Sequence, residues 1–295
     1  MKHGRFIGSA VLIGAAFLWA TAYISVKHLV EDVPPCMLLA IRFSLAAVIL
    51  AVLFFPKLKR INKELLFAGI RMGIALFFEF FFFTVGIQYT TASKSSFIIS
   101  SYIILLPIAY FLIRRKRPSK SDVFCSILCM SGLCLILADN LSGFNLGDFL
   151  SCFSAVAYAV HVVYSAKYAK KYDGGLLNLI QIATAAVLSV IFSIVNGDFQ
   201  AGTMHVPMGA LLYLAVICTI MPYFLCLLGM KFVSTATSGI LLSFESVFAT
   251  ALAVMMLGER LYWQLVLGGS IILASFLLSE LWPKKAITCD TGEET

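Results

Sequence analysis

Several charged side chains stand inside long apolar stretches, and they decide what this chain can do chemically. Glu245 lies near the middle of one such stretch in the second half of the chain. Arg71 and Glu79 share another, eight residues apart and so on roughly one helical face. Arg42, Lys94 and His161 occupy three more. A charge near a bilayer centre costs about 2.5–3.5 kcal/mol on insertion scales, so each needs a partner or a use. A buried acid either pairs within the helices, takes and releases a proton, or holds a substrate amine. Glu245 is the first candidate for the last two roles and Glu79 the second. Arg42 and Arg71 are read first as packing partners that can also reach carbonyls or headgroups. Lys94, in the first turn of its stretch, either takes a functional role or snorkels to the outer surface. His161 alone is more simply a hydrogen-bonded core residue than a proton relay.

Uncharged polar groups give a second pattern. Ser93, Ser96 and Ser100 form one stripe, and Thr235, Ser238, Ser243, Ser246 and Thr250 form another. Such hydroxyls either line a path or bond their own backbone. Lining is the favoured expectation because the two stretches correspond to each other within the chain. Trp19 and Tyr158 also correspond, deep in their segments, and are expected to face the bundle interior. Tyr102 is the counterpart of Glu245. The run from Phe77 to Phe83 is expected to be mostly lipid-facing and packing surface, with Glu79 turned inward. The eight cysteines show no C-x-x-C spacing and read as small apolar packers. No metal site, cofactor site or catalytic set is expected. The chain holds no G-x-x-x-x-G-K-[ST], D-D-x-x-D or H-E-x-x-H, which argues against direct ATP drive and against metal-dependent transfer chemistry.

The elements that must position these residues follow from composition. A chain of 295 residues that is 61% hydrophobic and 13% charged, with mean hydropathy +0.96, does not match a water-soluble globule. Ten apolar stretches are long enough to span a hydrocarbon core, at 6–26, 35–55, 64–87, 91–113, 122–138, 147–166, 176–195, 208–230, 235–257 and 262–281. The first resembles a secretory leader, since Lys2 and Arg5 precede an apolar run ending in Ala20-Thr21-Ala22. Its match to the stretch around Tyr158 makes retention the expectation.

The halves repeat. A shift of 139 residues places Gly8, Ala16, Ala20 and Ile41 on Gly147, Ala155, Ala159 and Ile180; a shift of 143 places Gly86, Ser95 and Ser100 on Gly229, Ser238 and Ser243. The difference puts a short insertion near 196–207. With the N-terminus in the cytoplasm, the cytoplasmic segments hold most of the Lys and Arg, including the run from Arg114 to Lys120, and the outer segments hold Lys27 and Arg260. This is the positive-inside distribution, and it explains the net charge of +7 without nucleic acid. Five spans per copy make the copies antiparallel. The expected fold is therefore an all-α membrane protein of ten transmembrane helices in two inverted five-helix repeats, 1–139 and 140–282. Both termini are cytoplasmic, and 283–295 forms a polar tail. Duplication of this kind is the usual signature of a secondary transporter.

The stretch LLSFESVFATALAVMMLGERLYWQLVLGGSIILASFLL at 241–278, GIQYTTASKSSFI at 86–98 and the Trp19 region resemble the EamA-type members of the drug/metabolite transporter superfamily. The chain departs from that pattern at Ser246, where Pro usually follows the mid-helix Glu. The resemblance covers essentially the whole chain. It implies two inverted five-helix repeats around a cavity lined largely by the first, third, fourth, sixth, eighth and ninth helices, and movement of small metabolites such as amino acids, often as export. The expected protein is a monomeric secondary transporter in the cell membrane, working by alternating access on a small metabolite. Amino acids and related zwitterions or anions come first, because Arg42, Arg71 and Lys94 outnumber Glu79 and Glu245. Two alternatives stand beside it: lipid translocation or sensing on the same fold, and a membrane-embedded transferase. The latter is disfavoured because the two acids look isolated on different helices.

Overall fold

The computed structural model describes residues 2–137, 144–198, 207–257 and 263–282. Arg260, the 283–295 tail and most of the 196–207 insertion lie outside the described residues. The helices are α1 (Lys2–Asp32), α2 (Pro35–Leu53), α3 (Lys63–Gly86), α4 (Ala92–Ser100), α5 (Tyr102–Arg114), α6 (Lys120–Leu137) and α7 (Leu146–Tyr168). They continue as α8 (Gly174–Val195), α9 (Met208–Leu212), α10 (Met221–Gly229), α11 (Thr235–Leu242), α12 (Phe244–Leu257) and α13 (Trp263–Leu281). A 3-10 turn covers Phe55–Arg60, and a π-helical stretch, Tyr213–Ile220, joins α9 to α10. The described residues contain no strand.

Among the described residues, eight helical stretches are long and apolar enough to cross a membrane; three of them, Ala92–Arg114, Met208–Gly229 and Thr235–Met256, run across breaks between shorter helices. Helices satisfy every backbone group within one segment, which a bilayer without water demands. The helix α6, of 18 residues, packs along α13, of 19. The outward surface carries Phe78, Ile108, Val187, Ile191 and Met255, as expected where lipid is the solvent.

Polar side chains start the helices. Asn62 accepts from Leu65 N at 2.8 Å to open α3, and Asn145 and Asp148 form a reciprocal capping box on α7. Asp173 opens α8 by accepting from Gly175 N and Leu176 N. Burial pushes its carboxyl up, but the Leu176 and Gly175 amides and the Lys57 ammonium together hold it below the ordinary aspartate range. Thr91 and Ser234 open α4 and α11; they are counterparts under the 143-residue shift.

Glycines set the closest helix crossings. A methyl group on Gly229 would come within 2.9 Å of the Gly8 carbonyl, and one on Gly86 within 3.0 Å of the Gly147 carbonyl. Gly8 corresponds to Gly147 and Gly86 to Gly229, so the two crossings, α1 on α10 and α7 on α3, are made by the same pair of positions used twice. Small residues let the backbones approach and pack by van der Waals contact. The helix α2 packs along α8, and α4 along α12.

The spanning stretches are interrupted within one residue of corresponding places. The fourth breaks at Ser101, between α4 and α5, and the ninth at Ser243, between α11 and α12. The second break needs no proline: Ser243 and Ser246 donate to Ile240 O and Ser243 O at 2.7 and 2.8 Å, and Glu245 falls in the first turn of α12. Pro222, at the start of α10, lacks the N–H that would bond the Cys218 carbonyl four residues earlier. Arg42 Nη2 donates to that carbonyl instead, at 2.9 Å, while Arg42 Nε donates to Thr219 Oγ1 at 2.7 Å.

Candidate functional site

Five aromatic residues, two acids, an isoleucine and a serine meet where the interrupted helices pass α1, α3 and α7. Trp19 and Tyr23 come from one face of α1, one turn apart, and Glu79, Phe80 and Phe83 from α3. Ile99 comes from α4, Ser154 and Tyr158 from α7, and Glu245 from α12. These nine side chains, all buried, enclose a cavity of about 30 Å³. That is room for a water or two, and much less than a metabolite needs.

The wall holds polar atoms without partners. Trp19 Nε1, the Tyr158 hydroxyl and Glu79 Oε2 are buried and make no hydrogen bond. Leaving such a group unsatisfied costs about 1–3 kcal/mol, a cost that a bound ligand would remove. Trp19 is held edge-on between Tyr158 and Tyr223, with ring centroids at 6.0 and 4.8 Å. Tyr223 donates to Glu79 Oε1 at 3.2 Å, Ser154 donates to Glu79 O at 2.8 Å, and Tyr23 is the hydrogen-bonding neighbour of Glu245. The second carboxylate oxygen of Glu79 lies 3.5 Å from His161 Nδ1. His161 Nε2 lies 3.0 Å from Gln181 Oε1, and the ring stands edge-on to Tyr223. The site thus combines two carboxylates with two neutral donors.

Among the residues singled out from sequence, Glu245, Glu79, Trp19 and Tyr158 line the cavity together, and His161 stands directly behind Glu79. The two acids are therefore not isolated: helices far apart in sequence bring them to one wall. Tyr102 sits one layer back, its ring 4.2 Å from that of Tyr158 and its hydroxyl donating to Gly239 O at 2.6 Å.

The remaining candidates lie elsewhere. Ser100 is buried in α4 outside the cavity wall. Ser243 caps α11 and meets Cys129 Sγ at 3.3 Å. Ser96, Ser238, Ser246 and Thr250 donate to carbonyls three or four residues earlier, so these four hydroxyls stabilise helix turns, and none is on the cavity wall. Lys94 does not snorkel outward: it is buried and pairs with Asp148 at 2.6 Å, and Asp148 also accepts from Thr90. Arg42 is buried against the broken helix and over the Phe80 ring, 4.7 Å from its centroid. Arg71 is exposed and donates to the Tyr168 hydroxyl at 3.1 Å. None of these three cations is on the cavity wall. The phenylalanine run also divides: Phe77, Phe80 and Phe83 are buried, and Phe78 faces outward.

Sequence reasoning missed Tyr23, Tyr223, Ser154, Asp148, Asn178 and Gln181. A sequence signal existed for two groups of them. Tyr23 repeats the Trp19 face one turn later, and Asn178 and Gln181 are amides inside an apolar stretch, where polar groups are costly.

The sequence model of the EamA-like transporter family matches residues 6–138 and again 145–281. An uncharacterized transporter of Archaeoglobus fulgidus is 28% identical over 267 residues, 90% of this chain and 83% of that protein. A threonine/homoserine exporter, RhtA, of Salmonella typhimurium is 26% identical over 250 residues, 82% of this chain and 80% of its own length. A crystal structure at 18% identity superimposes with a TM-score of 0.73, covering 93% of this chain and 96% of the other.

Proposed function

Because the chain belongs to the EamA-like transporter family, we propose that it is a secondary transporter that moves a small zwitterion, an amino acid or close relative, through the cavity between α1, α3, α7 and α12. The carrying observation is the chemistry of the wall. Glu79 and Glu245 suit an ammonium group, and Trp19 Nε1 and the Tyr158 hydroxyl, both buried without acceptors, suit a carboxylate. Arg42, Lys94 and Arg71 are engaged away from the cavity, so the substrate anion is bound by neutral donors rather than by a cation.

The architecture behind this reading is ten spans in two inverted five-helix repeats, 1–139 and 140–282, with both termini cytoplasmic. The paired glycine crossings support it, as do the breaks at Ser101 and Ser243, which fall within one residue of corresponding positions. So does the grouping of ion pairs: Lys57 with Asp173 and Lys171 with Glu64 join the loops assigned to the cytoplasm. The small cavity corresponds to a constricted state, which the repeats open alternately to either side. Export from the cell across its membrane, with the chain acting as a monomer, completes the proposal; the likeness to a threonine/homoserine exporter supports the substrate class.

The test is transport in proteoliposomes with labelled threonine, homoserine and a wider amino-acid panel. Wild-type protein takes up at least one of them, and Glu245→Gln raises its KM about tenfold, the loss of one charge-assisted contact. Uptake of none of the panel, with lipid scrambling in its place, overturns the solute reading.

A further inference from the structure

The hydrogen bonds behind Glu79 fix where a proton sits. The Ile220 carbonyl can only accept, and Asn178 Nδ2 donates to it at 3.1 Å, so Asn178 turns its Oδ1 towards Gln181. Gln181 Nε2 donates to that oxygen at 2.9 Å, so Gln181 turns its Oε1 towards the imidazole. This oxygen also only accepts, and at 3.0 Å from His161 Nε2 it is nearer than the Ser165 hydroxyl at 3.4 Å, the other neighbour of that nitrogen. Nε2 therefore carries a hydrogen whenever the chain is intact. All of these side chains are buried. His161 Nδ1 is left facing Glu79 Oε2, 3.5 Å away, between α7 and α3.

We propose that Glu79 and His161 together form a single-proton site that couples proton movement to the transport cycle, with Asn178 and Gln181 as positioning residues. The proposal rests on the transporter reading above and names its coupling ion. At 3.5 Å the two atoms make no hydrogen bond as they stand, and a slight approach lets one proton bridge Nδ1 and Oε2. With it in place, a neutral acid donates to the ring or an imidazolium donates to the carboxylate, and both arrangements are attractive. Once it leaves to water, the bare Nδ1 lone pair faces a carboxylate. The ring cannot relieve this by moving its other hydrogen, because Gln181 Oε1 would then face a bare nitrogen. Proton loss thus disfavours the close contact of α3 and α7, the two helices that carry Glu79, Ser154 and Tyr158 on the cavity wall. The cavity beside Glu79 has room for the water that delivers and removes the proton.

The other titratable or charged groups near enough to interact electrostatically with Glu79 are Tyr23 from α1, Arg42 from α2, Tyr102 from α5, Tyr158 from α7, Tyr223 and Cys226 from α10, and Glu245 from α12. Glu245 is the competing acid, and the test separates it.

The first arm needs no substrate: 15N NMR of histidine-labelled protein in nanodiscs, titrated with acid and base. The wild-type His161 signal shows the Nε2–H tautomer. Its titration moves by about one pH unit or more in Glu79→Gln, and Gln181→Met gives a mixture of tautomers. An Nδ1–H tautomer in the wild type, or a titration unchanged in Glu79→Gln, overturns the site. The second arm uses labelled threonine with an imposed pH gradient. His161→Asn keeps counterflow exchange but loses gradient-driven accumulation, and His161→Gln is read in the same way if that variant does not fold. Residual uptake in Glu245→Gln keeps its response to the gradient. Gradient-driven accumulation persisting in the folded His161 variant overturns the coupling. Wild-type protein that moves no threonine counts against the substrate reading, and the NMR arm then decides the proton site alone.

Discussion

Trp19 separates binding from stability more cleanly than the acids do. Its indole ring packs edge-on against Tyr158 and Tyr223, while its Nε1 is buried with no acceptor in a residue that lines the cavity. Trp19→Phe keeps a ring there and removes the donor. Thermal melting of the variant without substrate should stay at or above the wild-type Tm, because an unsatisfied group has been removed. The KM for the transported amino acid should rise about tenfold, the value of one hydrogen bond to a charged group. A matching fall in Tm would make Trp19 a packing residue. Trp19 and Tyr158 were legible in the sequence because the internal repeat aligned them. The fates of Lys94 and Arg42 were not. Their partners, Asp148 and the Cys218 carbonyl, lie far along the chain, and spacing carries no information about a side chain that a distant segment supplies.

Helix ends and breaks are the next scale. Asp173 caps α8, and Lys57 adds to its hold on the charged form. Asp173→Ala should destabilise the protein by about 1 kcal/mol at neutral pH, the usual value of an N-cap. Because the folded carboxyl is held below its ordinary range, the charge-dependent part of that stability is present above the unfolded aspartate value of about 3.9 and fades as pH falls below it. Melting curves of the two proteins should therefore converge on acidification. The helices themselves were plain in the apolar runs. The breaks were only partly so: Pro222 marks one, but the break before Glu245 comes without the proline that the resembling family carries. There serine hydroxyls bond the preceding turn's carbonyls, which nothing in the hydropathy pattern reveals.

Across the whole molecule, two symmetric glycine crossings hold the halves together. Gly86→Val and Gly229→Val place branched side chains against backbone carbonyls, and each should cost about 1–3 kcal/mol by overpacking. The two losses should be similar, since the positions are counterparts, whereas Gly14→Val, with open space around it, should be tolerated. Unequal losses at Gly86 and Gly229 in melting experiments would argue against equivalent roles for the two halves. The sequence by itself determined that this is a helical membrane protein of the EamA-type family and which aromatic and acidic residues deserved attention. Apolar length, charge placement and internal repetition are properties of the chain read in order. Only the tertiary structure decided that Glu79, Glu245, Trp19 and Tyr158 share one wall, that the cations are engaged elsewhere, and that His161 backs Glu79 through an oriented amide chain. Those facts depend on which helix faces meet. In a membrane, helix packing depends on close van der Waals fit and internal hydrogen bonds rather than on a hydrophobic pattern that could be read from one strand of sequence.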